Sequence, residues 1–309
     1  MRGRRRLRRG ALVAGAACCL LAAAPGAAHA DEPLFGYVNT TDLLPKGKAQ
    51  IEQWATGRLE QSRGHYARFE GRSEAEYGLG DNVQITGYLN YSQTGAEANG
   101  VAGRTEGPGV PPSHDPRQRF SRLRLDGVTG EVVWRITSPY LSPVGLGLLA
   151  ETTLGADESA LRLRGIAQKN FRDDTVVLAA NLWVEVEHRP ASTPAPAGPD
   201  PRPKITTLEL DLGASYRFRP NWSVALELRD RSEFAGYGVA GSRRLYSALF
   251  AGPTLHYGAQ RWFFTLSAMR QLHASAKAPA LRVQVVDGEI YGSRHARWDG
   301  IRLRVGRTF

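Results

Sequence analysis

The chain has 309 residues, a formal charge of +10, two cysteines and 42% hydrophobic residues. Most of that charge sits in the first thirty residues, which read as an export signal; without their six arginines, 34 basic side chains face 30 acidic ones. Both cysteines lie in the same segment, so disulfides, thiolate catalysis and cysteine metal sites are excluded from the remainder, and the small residual charge gives no case for nucleic-acid binding.

The leader has three parts. MRGRRRLRRG is basic, ALVAGAACCLLAAAPG is apolar, and Ala28-His29-Ala30 is a small-x-small cleavage site before Asp31. Gly15 stands where a lipoprotein signal ending at Cys18 needs a large aliphatic residue, and Arg8-Arg9 lacks the twin-arginine context. A Sec-type signal peptide over 1–30 and one mature domain over 31–309 are therefore expected. The richest later apolar run, Val176 to Val184, is too short for a membrane helix and contains Asn181.

From residue 48 onward the sequence repeats one unit: ten to fourteen residues alternating apolar and polar, then a turn. Such alternation places one face of a strand against an apolar medium and the other against a polar one. Twelve strands are predicted: 48–60, 65–77, 82–93, 124–137, 144–154, 158–169, 175–188, 205–218, 221–232, 245–257, 261–272 and 298–309. In the first, Ala49, Ile51, Ala55 and Leu59 oppose Lys48, Gln50, Glu52 and Arg58. In the second, Ala67, Phe69, Ala75 and Tyr77 oppose Arg68, Glu70, Arg72, Glu74 and Glu76. The tenth alternates least, being apolar on both faces and carrying Pro253. The segment 281–291, LRVQVVDGEIY, reads either as a short hairpin over the mouth or as a further strand.

A soluble sandwich also alternates, but its strands are usually about half this long. The connections around 78–82, 170–175, 219–222 and 257–261 are short, whereas those at 94–120, 189–204, 233–244 and 273–297 are long and rich in Gly, Pro, Ser and charge. Short periplasmic turns and longer external loops are the pattern of outer-membrane barrels. Tyr77, Trp134, Tyr216, Trp222 and Trp262 fall near strand ends, where interfacial aromatic girdles belong. The expected fold is thus an all-β, antiparallel up-and-down transmembrane barrel. Its final strand, WDGIRLRVGRTF, ends on Phe309, an expected assembly signal, and should close on the first strand near Ile51 and Trp54. Arg302 and Arg304 would then face Glu52 across the seam.

The segments GYVNTTDLLPKGKAQIEQW, EAEYGLGDNVQITGYLNY, GVTGEVVWRITSP, QKNFRDDTVVLAANL and ALFAGPTLHY resemble a proteobacterial outer-membrane barrel family of unknown function. They are loosely similar to porin-like proteins of the MetA pathway of phenol degradation. The resemblance implies fold and outer-membrane location; it brings no catalytic motif.

Charge on the lipid face of such a barrel costs about 2–4 kcal/mol for each Arg or Lys at the midplane. Glu131, Arg135, Glu151, Arg162, Arg164, Glu185, Glu187, Glu209, Asp211, Glu227, Arg229, Arg302 and Arg304 are therefore expected to line the lumen. Either these charges pair into ladders that fill the barrel, or some of them line a narrow water-filled constriction for small solutes. A narrow passive channel is the favoured reading, and a closed structural or adhesive barrel, working through its loops, is the alternative. His273-Ala274-Ser275 has the His-x-Ser spacing of barrel phospholipases, a minor third reading, and His256 is expected at the interface. No cofactor, metal site or enzyme motif is expected; the implied partners are outer-membrane lipids, the barrel-assembly machinery and a small solute.

Overall fold

The fold is described from a computed structural model. It covers residues 33–61, 63–100, 102–107, 109–111, 113–155, 158–188, 204–276, 283–292 and 295–309. The expected leader over 1–30 and most of the Pro-rich loop at 189–204 lie outside the described residues.

Twelve antiparallel strands close into a single barrel. They are β1 (Ala49–Leu59), β2 (His65–Gly80), β3 (Val83–Glu97), β4 (Phe120–Thr137), β5 (Gly145–Gly155), β6 (Ser159–Phe171), β7 (Val176–His188), β8 (Lys204–Arg219), β9 (Trp222–Ala235), β10 (Arg244–Gly258), β11 (Trp262–Ala276) and β14 (Trp298–Thr308). Between the last two, β12 (Val283–Val286) and β13 (Glu289–Gly292) form a separate two-stranded hairpin, so the ambiguous segment is a hairpin and the count of twelve stands. Each barrel strand pairs with its sequence neighbour, and β1 pairs with β14, Ile51 opposite Arg307 and Trp54 opposite Arg304. Closure leaves no free sheet edge, which is what permits a sheet to cross lipid.

The alternation holds along the walls. Ile51, Phe69, Leu123, Val132, Leu148, Leu163, Leu182, Leu226 and Leu266 are exposed on the outer surface, while Glu52, Glu74, Glu151, Asn181, Glu209 and Glu227 are buried inside. This is the inverse of a soluble protein, and it follows from an apolar solvent outside and a polar lumen within.

One strand boundary needs correction. Strand β4 begins at Phe120 rather than 124, because Asp126 is an unpaired bulge residue: Asn90 faces Gly127 while the next residue, Tyr91, faces Leu125. The bulge reverses the parity of the strand, so Leu123 and Leu125 point outward out of step with Val128 and Val132. The aromatic residues stand near strand ends, as expected. Tyr77, Trp134, Tyr216, Trp222 and Trp262 all lie beside the tight turns, where Trp222 packs against Tyr257 and Phe264 at ring-centroid distances of 4.9 and 5.6 Å.

The barrel is not hollow. Residues 33–48 precede β1, have no regular structure, and run through the lumen in its turn-side half. Phe35 and Val38 pack on Val177, Ala179 and Ala225, and Leu43 packs on Val133, Leu149 and Ile166. At the loop end, Ile290 of the hairpin inserts among Leu245, Tyr246, Ala248, Phe250 and Ala274, and Ala296 packs with Tyr66, Ala96 and Phe120. This lid explains the weak alternation of β10, whose inner face must be apolar to receive it.

Candidate functional site: a charged chamber between a strap and a lid

The inward polar residues of the wall act first as ligands for the N-terminal strap. The Glu227 carboxylate accepts hydrogen bonds from the backbone N–H groups of Gly36 (2.8 Å), Tyr37 (2.8 Å) and Val38 (3.1 Å), and from the Thr254 hydroxyl (2.5 Å). Asn181 accepts from the Asn39 N–H and donates to the Asn39 carbonyl. Gln168 accepts from the Thr41 N–H and hydroxyl and donates to Asp42, while Gln84 accepts from the Leu44 N–H. The strap has no sheet ladder of its own, so these side chains satisfy a backbone that burial would otherwise leave unpaired.

Two close approaches depend on missing side chains in the wall. A Cβ on Gly213 would lie 2.7 Å from the Phe35 ring, and one on Gly300 would lie 1.6 Å from the Tyr37 hydroxyl. The guanidiniums of Arg302 and Arg229 lie over the Tyr37 ring, 3.9 and 4.3 Å from its centroid. Arg302 also donates to the Gly36 carbonyl.

Above the strap is a cavity of about 250 Å³ with a predominantly polar lining. Of the thirteen lumen residues expected from sequence, ten line it: Glu131, Glu151, Arg162, Arg164, Glu185, Glu209, Asp211, Arg229, Arg302 and Arg304. Three do not. Arg135 bonds at the turn to the Asp81 carbonyl and to Asn82, a rim position set by its nearness to the end of β4. Glu187 is buried one residue from the loop end of β7. Glu227 is covered by the strap backbone it binds.

Charge ladders and a cavity coexist. Arg162 bridges Glu151 of β5 and Glu185 of β7, at 3.1 and 2.5 Å. Arg229 lies 2.6 Å from Glu209 and 3.5 Å from Asp211, and Arg231 joins Glu209 to Glu233. At the closing seam Arg304 meets Glu52 at 2.8 Å, as expected, whereas Arg302 turns away to Thr56 and Gly36. Aromatic rings complete these pairs, with Arg304 over Trp54 at 4.0 Å and Arg162 over Trp183 at 4.5 Å. The inward role of Trp54 and Trp183 was not among the expectations; its signal is an aromatic residue on the polar parity of its strand.

The lid carries a second polar cluster. Gln271 donates to the Ile290 and Ala296 carbonyls and accepts from the Ile290 N–H. His295 contacts the Tyr246 hydroxyl (2.5 Å) and Asp299 (3.3 Å), and Arg297 binds Glu289 at 2.9 Å. The His-x-Ser pair is not built into a pocket: His273 and Ser275 are exposed, and Ala274 between them points into the core beneath the lid. His256, expected at the interface, instead turns inward and is buried against Phe263 with Thr265 at 2.9 Å. The weak alternation of β10 conceals that parity.

A closed twelve-strand barrel with an apolar exterior and a charged interior defines an outer-membrane-type β-barrel. The chain belongs to a family of unknown function (DUF6662), whose model matches residues 27–295. No curated protein matches it in sequence. Among solved structures, it is similar to the COG4313 outer membrane channel from Pseudomonas putida F1, with 12% identity, a TM-score of 0.53, and coverage of 87% of this chain and 98% of that one. It is also similar to the beta domain of the Bordetella autotransporter BrkA, with 13% identity, a TM-score of 0.50, and coverage of 85% and 100%. Identities this low establish a shared fold and nothing finer.

Proposed function

We propose that the protein is a narrow outer-membrane channel for small solutes, with the strap as its constriction. The observation that carries this reading is the charged chamber itself. A barrel built only for stability would gain by filling its lumen with apolar side chains, since buried ion pairs add little to stability. This lumen instead keeps a water-compatible cavity walled by carboxylates and guanidiniums, the lining of a selective pore. The likeness to a channel structure agrees with this reading, as does the loose resemblance to porin-like MetA-pathway proteins.

On the same reading, export follows cleavage after Ala30, and Pro33 becomes the third residue of the mature chain. Outer-membrane lipid would cover the apolar exterior, and the assembly machinery would insert the barrel by way of the strand ending at Phe309. Chemistry on the solute plays no part.

The test is single-channel conductance of the refolded protein in planar bilayers, alongside a variant lacking residues 33–44. Small conductance from the intact chain and a larger, steadier one from the variant are expected. Silence from both would overturn the channel reading. It would favour a closed barrel acting through its surface loops, a reading that the lid across the mouth supports.

A further inference from the structure

We propose that Glu52, Glu74 and Glu76 form a binding site for one divalent cation of the calcium type. Glu74 and Glu76 lie two residues apart on the inner face of β2, and Glu52 stands directly opposite Glu74 on β1. One carboxylate oxygen from each lies within 4.8 Å of the others, and the three residues are only 1%, 4% and 7% exposed. Like charges placed directly across a strand pair repel, and burial removes the water that would screen them.

The surrounding donors neutralise part of this charge. Glu52 accepts from Gln50 (3.1 Å), Trp54 (2.6 Å) and Arg304 (2.8 Å), and Glu76 accepts from Gln84 (2.7 Å). Arg304 is the guanidinium bonded to the cluster, and it balances one of the three carboxylates. A bound cation would relieve the repulsion that remains between the facing carboxylates. Glu74 supplies an independent sign: its Oε2 is fully buried and has no hydrogen-bond partner among the described residues. A buried carboxylate oxygen without a donor is costly, and a metal ion would satisfy it directly.

The donor set selects the ion. Three carboxylates, with neither imidazole nor thiolate among them, suit a hard cation. Their irregular spacing across two strands suits calcium, which accepts flexible coordination, better than magnesium, which requires a near-ideal octahedron. The site also adjoins the strap: Gln84, bonded to Glu76, accepts the Leu44 N–H. The competing account is that protons shared among the carboxylates supply the missing charge.

Terbium luminescence separates the two. Trp54 donates to Glu52, so it stands close enough to sensitise terbium bound there. The refolded full barrel should show saturable emission under tryptophan excitation, displaced by calcium. Trp54→Phe should lose most of the emission while still taking up metal, and Glu74→Gln should bind about tenfold or more weakly. Folding of each variant is read from its faster migration unheated than heated on a denaturing gel. Absence of terbium and calcium uptake by the wild-type barrel would overturn the proposal. So would unchanged affinity in a folded Glu74→Gln; if that variant fails to fold, unchanged affinity in Glu76→Gln has the same force.

Discussion

Glu227→Gln tests how the strap is held. In the native protein one carboxylate serves three backbone N–H donors and the Thr254 hydroxyl, and Glu227 is completely buried. The amide keeps the size of the side chain and one acceptor oxygen, which can remain with Gly36 and Thr254. Its NH₂ group then faces the N–H groups of Tyr37 and Val38, two donors against a donor. A hydrogen bond to a charged group is worth about 1.5–3 kcal/mol, and the orphaned N–H groups add their own penalty, so the docked strap should lose about 3 kcal/mol or more. That shifts its docking equilibrium by roughly a hundredfold. Hydrogen exchange measured by mass spectrometry on a peptide covering 33–44 reads this directly, because local opening governs protection there. Exchange in the strap should accelerate by about that factor while β6–β9 stay protected. Equal protection in the variant would refute the carboxylate latch, and equal loss across the wall would show a global defect instead.

Three further outcomes follow from the same geometry. A Cβ on Gly36 would lie 2.1 Å from the Ser267 hydroxyl, so Gly36→Ala should displace the strap, and Ser267→Gly should restore much of the strap's exchange protection. Burial alone would raise the Glu289 carboxyl, but the Tyr291 hydroxyl and the Arg297 and Arg270 guanidiniums outweigh it and hold it below the ordinary carboxylate value. A group depressed in the folded state supports the lid above its unfolded value of about 4.3. That support is lost as pH falls through the lower folded value, so exchange in 283–292 should rise at acid pH in the wild type and lose most of its pH dependence in Glu289→Gln. Deleting Phe309, whose N–H bonds to the Ala49 carbonyl at the seam, should lower the yield of heat-modifiable barrel in membranes without blocking export. Normal yield would remove its assembly role.

The wall was legible in the sequence because lipid imposes a strict rule on it. A charge on the wrong parity is expensive, so Leu161, Arg162, Leu163 and Arg164 reveal their faces without any knowledge of their neighbours. The bulge at Asp126 hid four residues of β4 for the same reason, since it changes parity in mid-strand. The strap was not legible. FGYVNTTDLL has no period of two, because its backbone is satisfied by distant side chains rather than by a neighbouring strand. Its partners looked like any other inward polar residue, but one clue was present. Gln84, Gln168 and Asn181 are neutral amides among charged neighbours, and an amide can both donate and accept, which suits it to a peptide backbone. Glu227 gave no such hint; a carboxylate that binds three N–H groups reads in sequence like one that lines a pore.

The strap's position also constrains how the molecule is made. Gln168, Asn181 and Glu227 lie 127, 142 and 191 residues downstream of the strap groups they hold. The part of the barrel translated first therefore waits for strands translated much later, and contacts of such long sequence separation are intrinsically slow to form. It must also lie on the inner side of the sheet when β1 meets β14, since the closed wall offers no later entry from the side. A barrel that has closed before its strap has docked would be a leak in the membrane, so the speed of that final docking bears on permeability during assembly as much as in the finished protein.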